Sequence, residues 1–121
     1  MEENKMKKQK VWIHCRVLSE ASRNLLNYQE DMLKSLAESN NQEIVGVTKE
    51  VSNGRSFNSF GMNTLITEIK RNKIDAIFVT SKKRIAIFDD VLEEFELLCS
   101  MHNVVIISIK DIEDNLSKLF L

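Results

Sequence analysis

Two arginines stand where a folded chain could use them on an anion. Arg16 lies near the end of an apolar run that starts at Val11, and Arg84 closes the triplet Lys82-Lys83-Arg84. A guanidinium is a rigid fork of donors that meets phosphate oxygens two at a time. Binding of a phosphate or small ligand through Arg16 and Arg84 is one reading of these residues. Plainer readings stand beside it: Arg16 paired with Glu50 or Glu20, and Lys82-Lys83-Arg84 as a solvated loop. Arg55, with Lys70, Arg71 and Lys73, reads first as surface charge and second as a DNA footprint, which makes Arg55 a further candidate binding residue. Metal chemistry is poorly served. His14 and Cys15 are adjacent, so on a strand they point to opposite faces. Cys99 and His102 have helical spacing, but no further ligand is near them in sequence; a buried thiol and a helix-end histidine are expected instead of a metal. The stretch 19–24 holds no glycine, and the three glycines are Gly46, Gly54 and Gly61. Neither a dinucleotide fingerprint nor a P-loop is present, and no cofactor is expected.

The elements that would carry these residues follow from periodicity. Residues 11–18, 44–51, 74–80 and 104–108 are short, β-branched runs bounded by polar turns, which predicts four strands. The unbroken Val104-Val105-Ile106-Ile107 predicts a strand buried on both faces. Between the strands the period becomes helical: Leu25, Tyr28, Met32, Leu33 and Leu36; Met62, Leu65, Ile66 and Ile69; Phe88, Val91, Leu92, Phe95 and Leu98. A last helix over 109–121 carries Ile112, Leu116, Leu119 and Phe120, a face expected to dock on its own sheet with a dimer surface as the alternative, and a capping box from Ser108 and Asp111. Strand–helix alternation throughout predicts one α/β domain of three layers, α/β/α, with a mostly parallel sheet of four or more strands. Ligands of such sheets gather at the carboxyl ends of the strands.

Composition agrees with a single domain. The chain has 121 residues, is 43% hydrophobic, and balances 17 Lys and Arg against 18 Asp and Glu for a net charge of −1. A domain of this length buries roughly 65% of the surface its unfolded chain exposes. Net charge near zero argues against a strongly basic nucleic-acid clamp. No apolar run approaches the ~18 residues that span a bilayer, so no membrane association is expected. Residues 1–10 read as a charged tail ahead of a domain at 11–121, and the absence of a leader with two unbridged cysteines gives a cytoplasmic expectation.

A series of segments then carries a likeness. His14-Cys15-Arg16-Val17-Leu18-Ser19-Glu20, followed by Gln29, resembles the opening of the serine recombinases, the resolvase/invertase family. Glu50-Val51-Ser52-Asn53-Gly54-Arg55-Ser56 is similar to that family's Asp-x-x-Ser-Gly-x-Ser loop, and Ser59-Phe60-Gly61-Met62 stands where it has Arg-Pro-Gly-Leu. Lys82-Lys83-Arg84-Ile85-Ala86-Ile87 falls on its Leu-Asp-Arg-Leu-Gly-Arg run, and the stretch from His102 to Ser108 on the turn and strand after its fourth helix. The ordered series covers about residues 11–108. The resemblance implies a resolvase-catalytic-type fold. In the family a serine hydroxyl attacks a DNA phosphodiester while arginines hold the scissile phosphate.

The likeness fails where chemistry is concentrated. The serine position is Leu18, a hydrocarbon that cannot attack. Arg16 and Arg84 keep their arginines and Glu50 keeps an acid, but Ser59 and Ile87 replace two further arginines. Loss of one charge-stabilising donor typically costs ~10²–10³ in rate. Loss of two donors and the nucleophile implies a domain that no longer cuts DNA. It would act as a regulatory or remnant protein of a mobile element, by self-association or by pairing with an active recombinase. Ser19 is the alternative nucleophile, with Arg16, Glu50 and Arg84 around it, although strand parity turns it from the face of Arg16 and Leu18. The family's dimerisation helix and helix-turn-helix domain have no counterpart here, so DNA should bind weakly or not at all.

Overall fold

The computed structural model describes residues 8–119. Four parallel strands form one sheet: β1 (Lys10–Val17), β2 (Glu43–Val51), β3 (Ala76–Val79) and β4 (Val105–Ser108), in the order β2-β1-β3-β4. Helices α1 (Asn24–Ser39), α2 (Phe60–Lys70), α3 (Asp89–Met101) and α4 (Ile109–Lys118) alternate with them. Two short 3₁₀ turns, Glu20–Ser22 and Lys82–Arg84, lie in the loops after β1 and β3. The expected three-layer α/β/α architecture is the one observed.

Alternation along β1 divides the core. Val11, Ile13, Cys15 and Val17 face the layer of α1, with Leu26, Leu33, Ala37 and Phe78. On the opposite side Met62, Leu65 and Ile69 of α2 and Phe95 and Cys99 of α3 pack with Ile77 and Val79. At typical values each such large apolar side chain contributes ~1.5–3 kcal/mol on burial.

Four expectations need correction. The buried stripe of α1 is Leu26, Gln29, Leu33 and Ala37, while Leu25 and Tyr28 face solvent. β4 is an edge strand with Val105 exposed, not a strand covered on both faces. The apolar face of α4 does not dock on its own sheet: Ile112, Leu116 and Leu119 are exposed, and Phe120 lies outside the described residues. Finally, the tail is shorter than residues 1–10, because Lys10 already pairs with Glu43; residues 1–7 lie outside the description.

Helix ends explain the sharp turns back into the sheet. α1, α2 and α3 are each followed by an asparagine with positive φ: Asn41 (55°), Asn72 (58°) and Asn103 (58°). Each sits in a left-handed C-terminal cap, where the next amide returns to a carbonyl of the last turn: Gln42 to Ala37 at 3.0 Å, Lys73 to Glu68 at 3.4 Å, Val104 to Cys99 at 2.8 Å. Ser59 and Ser108 cap the other ends of α2 and α4, accepting from the amides of Met62 and Asp111, each at 3.3 Å.

Candidate functional site

Between β1 and β3 the chain connections diverge to opposite sides of the sheet, which is where open α/β sheets place ligands. The two strands pair only over Val11–Ile13 and Ala76–Phe78. Past that point β1 runs on beside β2 to Val17 with no strand on its other edge. Side chains fill the gap. The Gln29 amide accepts from the Arg16 backbone N–H (3.2 Å) and donates to the Arg16 carbonyl (3.0 Å), standing in for the missing strand. The Arg84 guanidinium donates to the same carbonyl at 3.1 Å.

The Arg16 side chain is turned inward and only 4% of the residue is exposed. Its Nε donates to the carbonyl of Arg84 (3.0 Å), one terminal nitrogen to that of Ser52 (2.7 Å) and the other to that of Lys83 (2.5 Å). Three loop carbonyls therefore occupy directions in which a guanidinium would grip phosphate oxygens. Gly54, at φ +70°, lies against the guanidinium, and a Cβ there would come within 2.6 Å of the Arg16 Cζ. Burial, then the neighbouring charge of Arg84, lowers the Arg16 pKa, while Glu50 opposes them. Arg16 makes no ion pair with Glu50 or Glu20, contrary to the pairing considered from sequence; Glu20 instead pairs with Arg23 at 2.7 Å.

Glu50 serves the start of α2. Its carboxylate accepts from the Ser59 hydroxyl (3.0 Å) and the Gly61 amide (3.0 Å). A Cβ on Gly61 would collide with that carboxylate, which accounts for the glycine. Behind Glu50 lies His14, fully buried, with Nδ1 2.6 Å from the Thr48 hydroxyl and Nε2 4.0 Å from Glu50 Oε2. Trp12 Nε1 also donates to Thr48 Oγ1 at 3.2 Å. His14 Nε2 has no hydrogen-bond partner among the described residues. Burial, aided by the Arg16 charge, lowers the His14 pKa to about 4, so the ring is neutral at pH 7.

The structure thus brings Arg16 and Arg84 together, with Glu50 behind them, and leaves the other candidates apart. Leu18 lies beyond the last residue of β1 and is 69% exposed. Ser19 is exposed, opens the 3₁₀ turn, and its hydroxyl makes no cap bond. Arg55 is exposed, its backbone amide held by Asn53 Oδ1 at 3.0 Å. Lys82 bridges Glu96 (3.2 Å) and Asp111 (3.5 Å), and Lys83 Nζ donates to the Ile87 carbonyl (3.2 Å). Lys83 is exposed, as a solvated loop would have it, while Lys82 and Arg84 are half-buried. Gln29, His14 and Gly54 shape the site, yet the residues alone assign them no such role. No cluster of three or more His, Cys, Asp or Glu suited to a metal occurs among the described residues. His102 Nδ1 lies 3.1 Å from the Asn72 side-chain oxygen, and Cys99 is buried. No described helix is long and apolar enough to cross a membrane.

Known proteins share the fold. The profile of the resolvase N-terminal domain matches residues 11–121. Among solved structures, the C-terminal catalytic domain of ISC1926 TnpA, an IS607-like serine recombinase, superposes with a TM-score of 0.79 at 23% identity, covering 91% of this chain and 79% of that one. A resolvase family site-specific recombinase from Streptococcus pneumoniae gives 0.75 at 22% identity, covering 86% and 74%. A serine recombinase from Sulfolobus solfataricus gives 0.69 at 24%, covering 94% and 81%. No curated protein sequence matches. Strand order, helix placement and the profile over nearly the whole chain converge: this chain belongs to the serine recombinase family, as a resolvase-type catalytic domain.

Proposed function

We propose that this domain keeps the recombinase scaffold without strand cleavage and acts through protein contacts. The observation that carries the reading is the state of Arg16, whose guanidinium is satisfied by the carbonyls of Ser52, Lys83 and Arg84, beside a nucleophile position filled by exposed Leu18. A phosphoryl transition state needs donors aimed at developing charge and an attacking oxygen. Here three of the five Arg16 donors are spent internally and the position-18 oxygen is missing. Net charge of −1 supports weak DNA affinity, with log affinity falling only gently with log salt. The exposed face of α4 (Ile112, Leu116, Leu119) supplies a surface for a second copy or an active recombinase. A solved neighbour described as the first ORF of transposon ISC1904 from Sulfolobus solfataricus P2 fits a place on a mobile element, and the reading puts the protein inside the cell.

A second reading makes Ser19 the nucleophile, favoured by its exposed hydroxyl free of a cap bond. Incubation with DNA carrying a nicked crossover site, followed by denaturing electrophoresis, separates the two. The expected result is no protein–DNA adduct for the wild type and none for Leu18→Ser, since Arg16 stays caged. An adduct that vanishes in Ser19→Ala overturns the non-cleaving reading.

A further inference from the structure

The loop that closes over Arg16 carries Asn53-Gly54, and no other asparagine of the chain precedes a glycine. Where the family likeness has a serine, this chain has an amide, one of the thermally labile side chains of proteins. Asn53 is exposed, in the stretch between β2 and α2. Loss of such an amide can run through the backbone. The nitrogen of the next residue attacks the side-chain carbonyl carbon and closes a succinimide ring.

The local geometry favours that attack. Gly54 has no Cβ to crowd its nitrogen. Its N–H makes no hydrogen bond among the described residues, while its neighbours are committed: the Ser52 N–H donates to the Val17 carbonyl and the Arg55 N–H to Asn53 Oδ1, each at 3.0 Å. The second of these bonds aims a donor at the oxygen that turns negative as the tetrahedral intermediate forms, as an oxyanion hole does. The Arg16 guanidinium, lying against Gly54, puts positive charge beside the nitrogen that must give up a proton. Asn58, in the same loop, is the contrast. The amide that follows it, on Ser59, is held by the Phe57 carbonyl at 2.9 Å.

We infer that Asn53 is a site of spontaneous deamidation and that its isoaspartyl product opens the cage around Arg16. A solvent base takes the Gly54 amide proton, the nitrogen bonds to Asn53 Cγ, and the Cγ–Nδ2 bond breaks as ammonia leaves. Water then opens the succinimide at either carbonyl, giving aspartate or isoaspartate; amide and water become carboxylate and ammonium, with no other reactant. Asn53 stands between two contacts with one guanidinium: the Ser52 carbonyl accepts from it at 2.7 Å and Gly54 lies against it. Isoaspartate routes the main chain through Cβ and lengthens the segment between those contacts, so both cannot be kept. Aspartate leaves the main chain as it was and adds a carboxylate near Arg16. The chemistry is independent of whether the domain cleaves DNA, which the adduct assay reads separately.

Ageing of the full chain in warm, mildly alkaline buffer, followed by mass-spectrometric peptide mapping and enzymatic methylation of isoaspartyl groups, tests it. Amide loss should occur in the folded chain and first at Asn53, ahead of Asn58 and every other asparagine. Isoaspartyl labelling should be lost in Asn53→Gln, whose longer side chain does not close the ring; circular dichroism checks that this variant is folded. Aged wild type should unfold at a urea midpoint lower than fresh protein by about 1 M, the loss of one bond from a charged donor. Aged Asn53→Gln should keep its own fresh midpoint, and fresh Asn53→Asp should stay near wild type. Three results overturn the inference: Asn53 intact while another asparagine converts, conversion at Asn53 only once urea has unfolded the chain, or an isoaspartyl form with the midpoint of fresh protein.

Discussion

Replacing Arg16 by methionine asks whether the buried guanidinium holds the fold or waits for a ligand, because the two roles predict opposite signs. As a structural tie it joins the end of β1 to the β2–α2 loop through Ser52 and to the β3–α3 loop through Lys83 and Arg84. A hydrogen bond from a charged donor contributes ~1.5–3 kcal/mol net. Three of them, discounted because loop carbonyls can turn to water and methionine fills part of the space, leave a loss of about 3 kcal/mol. For a domain of this size that is roughly 12 °C in Tm, or roughly 2 M in the urea midpoint. Arg84→Met removes a single side-chain bond, to the Arg16 carbonyl, and also removes the charge that disfavours Arg16, so its net effect should lie within about 1 kcal/mol of zero. Gly54→Ala should fail like Arg16→Met, by about 2 kcal/mol, since the new methyl needs a left-handed backbone and meets the guanidinium. Were Arg16 instead an anion ligand in a like-charged pair, removing it would stabilise the free protein, as is common for residues kept for function at a cost in stability. Urea denaturation followed by far-ultraviolet circular dichroism reads the difference. An Arg16→Met midpoint equal to or above wild type would refute the structural assignment, and with it the main support for a non-cleaving domain.

Three further outcomes follow from the same structure. The His14 pKa drops from an ordinary 6.5 to about 4 on folding. The unfolded chain thus gains a proton first as pH falls, and stability declines from pH 6.5 towards pH 4, by up to about 3 kcal/mol; His14→Gln should remove that part of the pH dependence in urea titrations, and an unchanged slope would exclude His14 as its source. Asn41→Gly and Asn103→Gly should each add about 0.5 kcal/mol by relieving a left-handed cap, whereas Asn72→Gly should gain less because it forfeits the contact with His102; differential scanning calorimetry ranks the three. Cys15 and Cys99 are buried and their thiols are pushed up to about 12, so Ellman's reagent should react with neither until the protein unfolds; fast reaction in native buffer would contradict their burial.

The sheet was legible because β-branched runs and helical periods are properties of neighbouring residues. The α2 stripe, Met62, Leu65 and Ile69, falls where its spacing puts it. The α1 stripe does not, and Gln29 is the reason. A glutamine reads as an outward residue, yet here it points inward and bonds the Arg16 backbone on the edge that β3 leaves unpaired. That shifts the buried face to Leu26, Leu33 and Ala37, leaving Leu25 and Tyr28 in solvent. The Val104–Ile107 run carries the composition of a central strand, but its position at the sheet edge is set by topology, which no local pattern encodes. Arg16 is legible in the sequence as a site residue, but its partners are not. A search for partners by residue type looks for carboxylates such as Glu50, and backbone carbonyls have no letter in a sequence.

The same asymmetry bears on how a catalytic scaffold changes role. Glu50, Ser59 and Gly61 stand at positions where the family resemblance places an acid, an arginine and a glycine, and here they close one circuit around the start of α2. Ser59 caps the helix and donates to Glu50; an arginine there would do neither by the same short reach. With serine at position 59, the acid's partners are the Gly61 amide and the Ser59 hydroxyl, and it makes no ion pair with Arg16, although its charge still acts there. Arg16 is bonded to the three carbonyls instead. Restoring a hydroxyl at position 18 alone leaves both sets of bonds in place. Leu18→Ser alone should therefore leave the protein folded and inert, because the group that would stabilise its attack is bonded elsewhere.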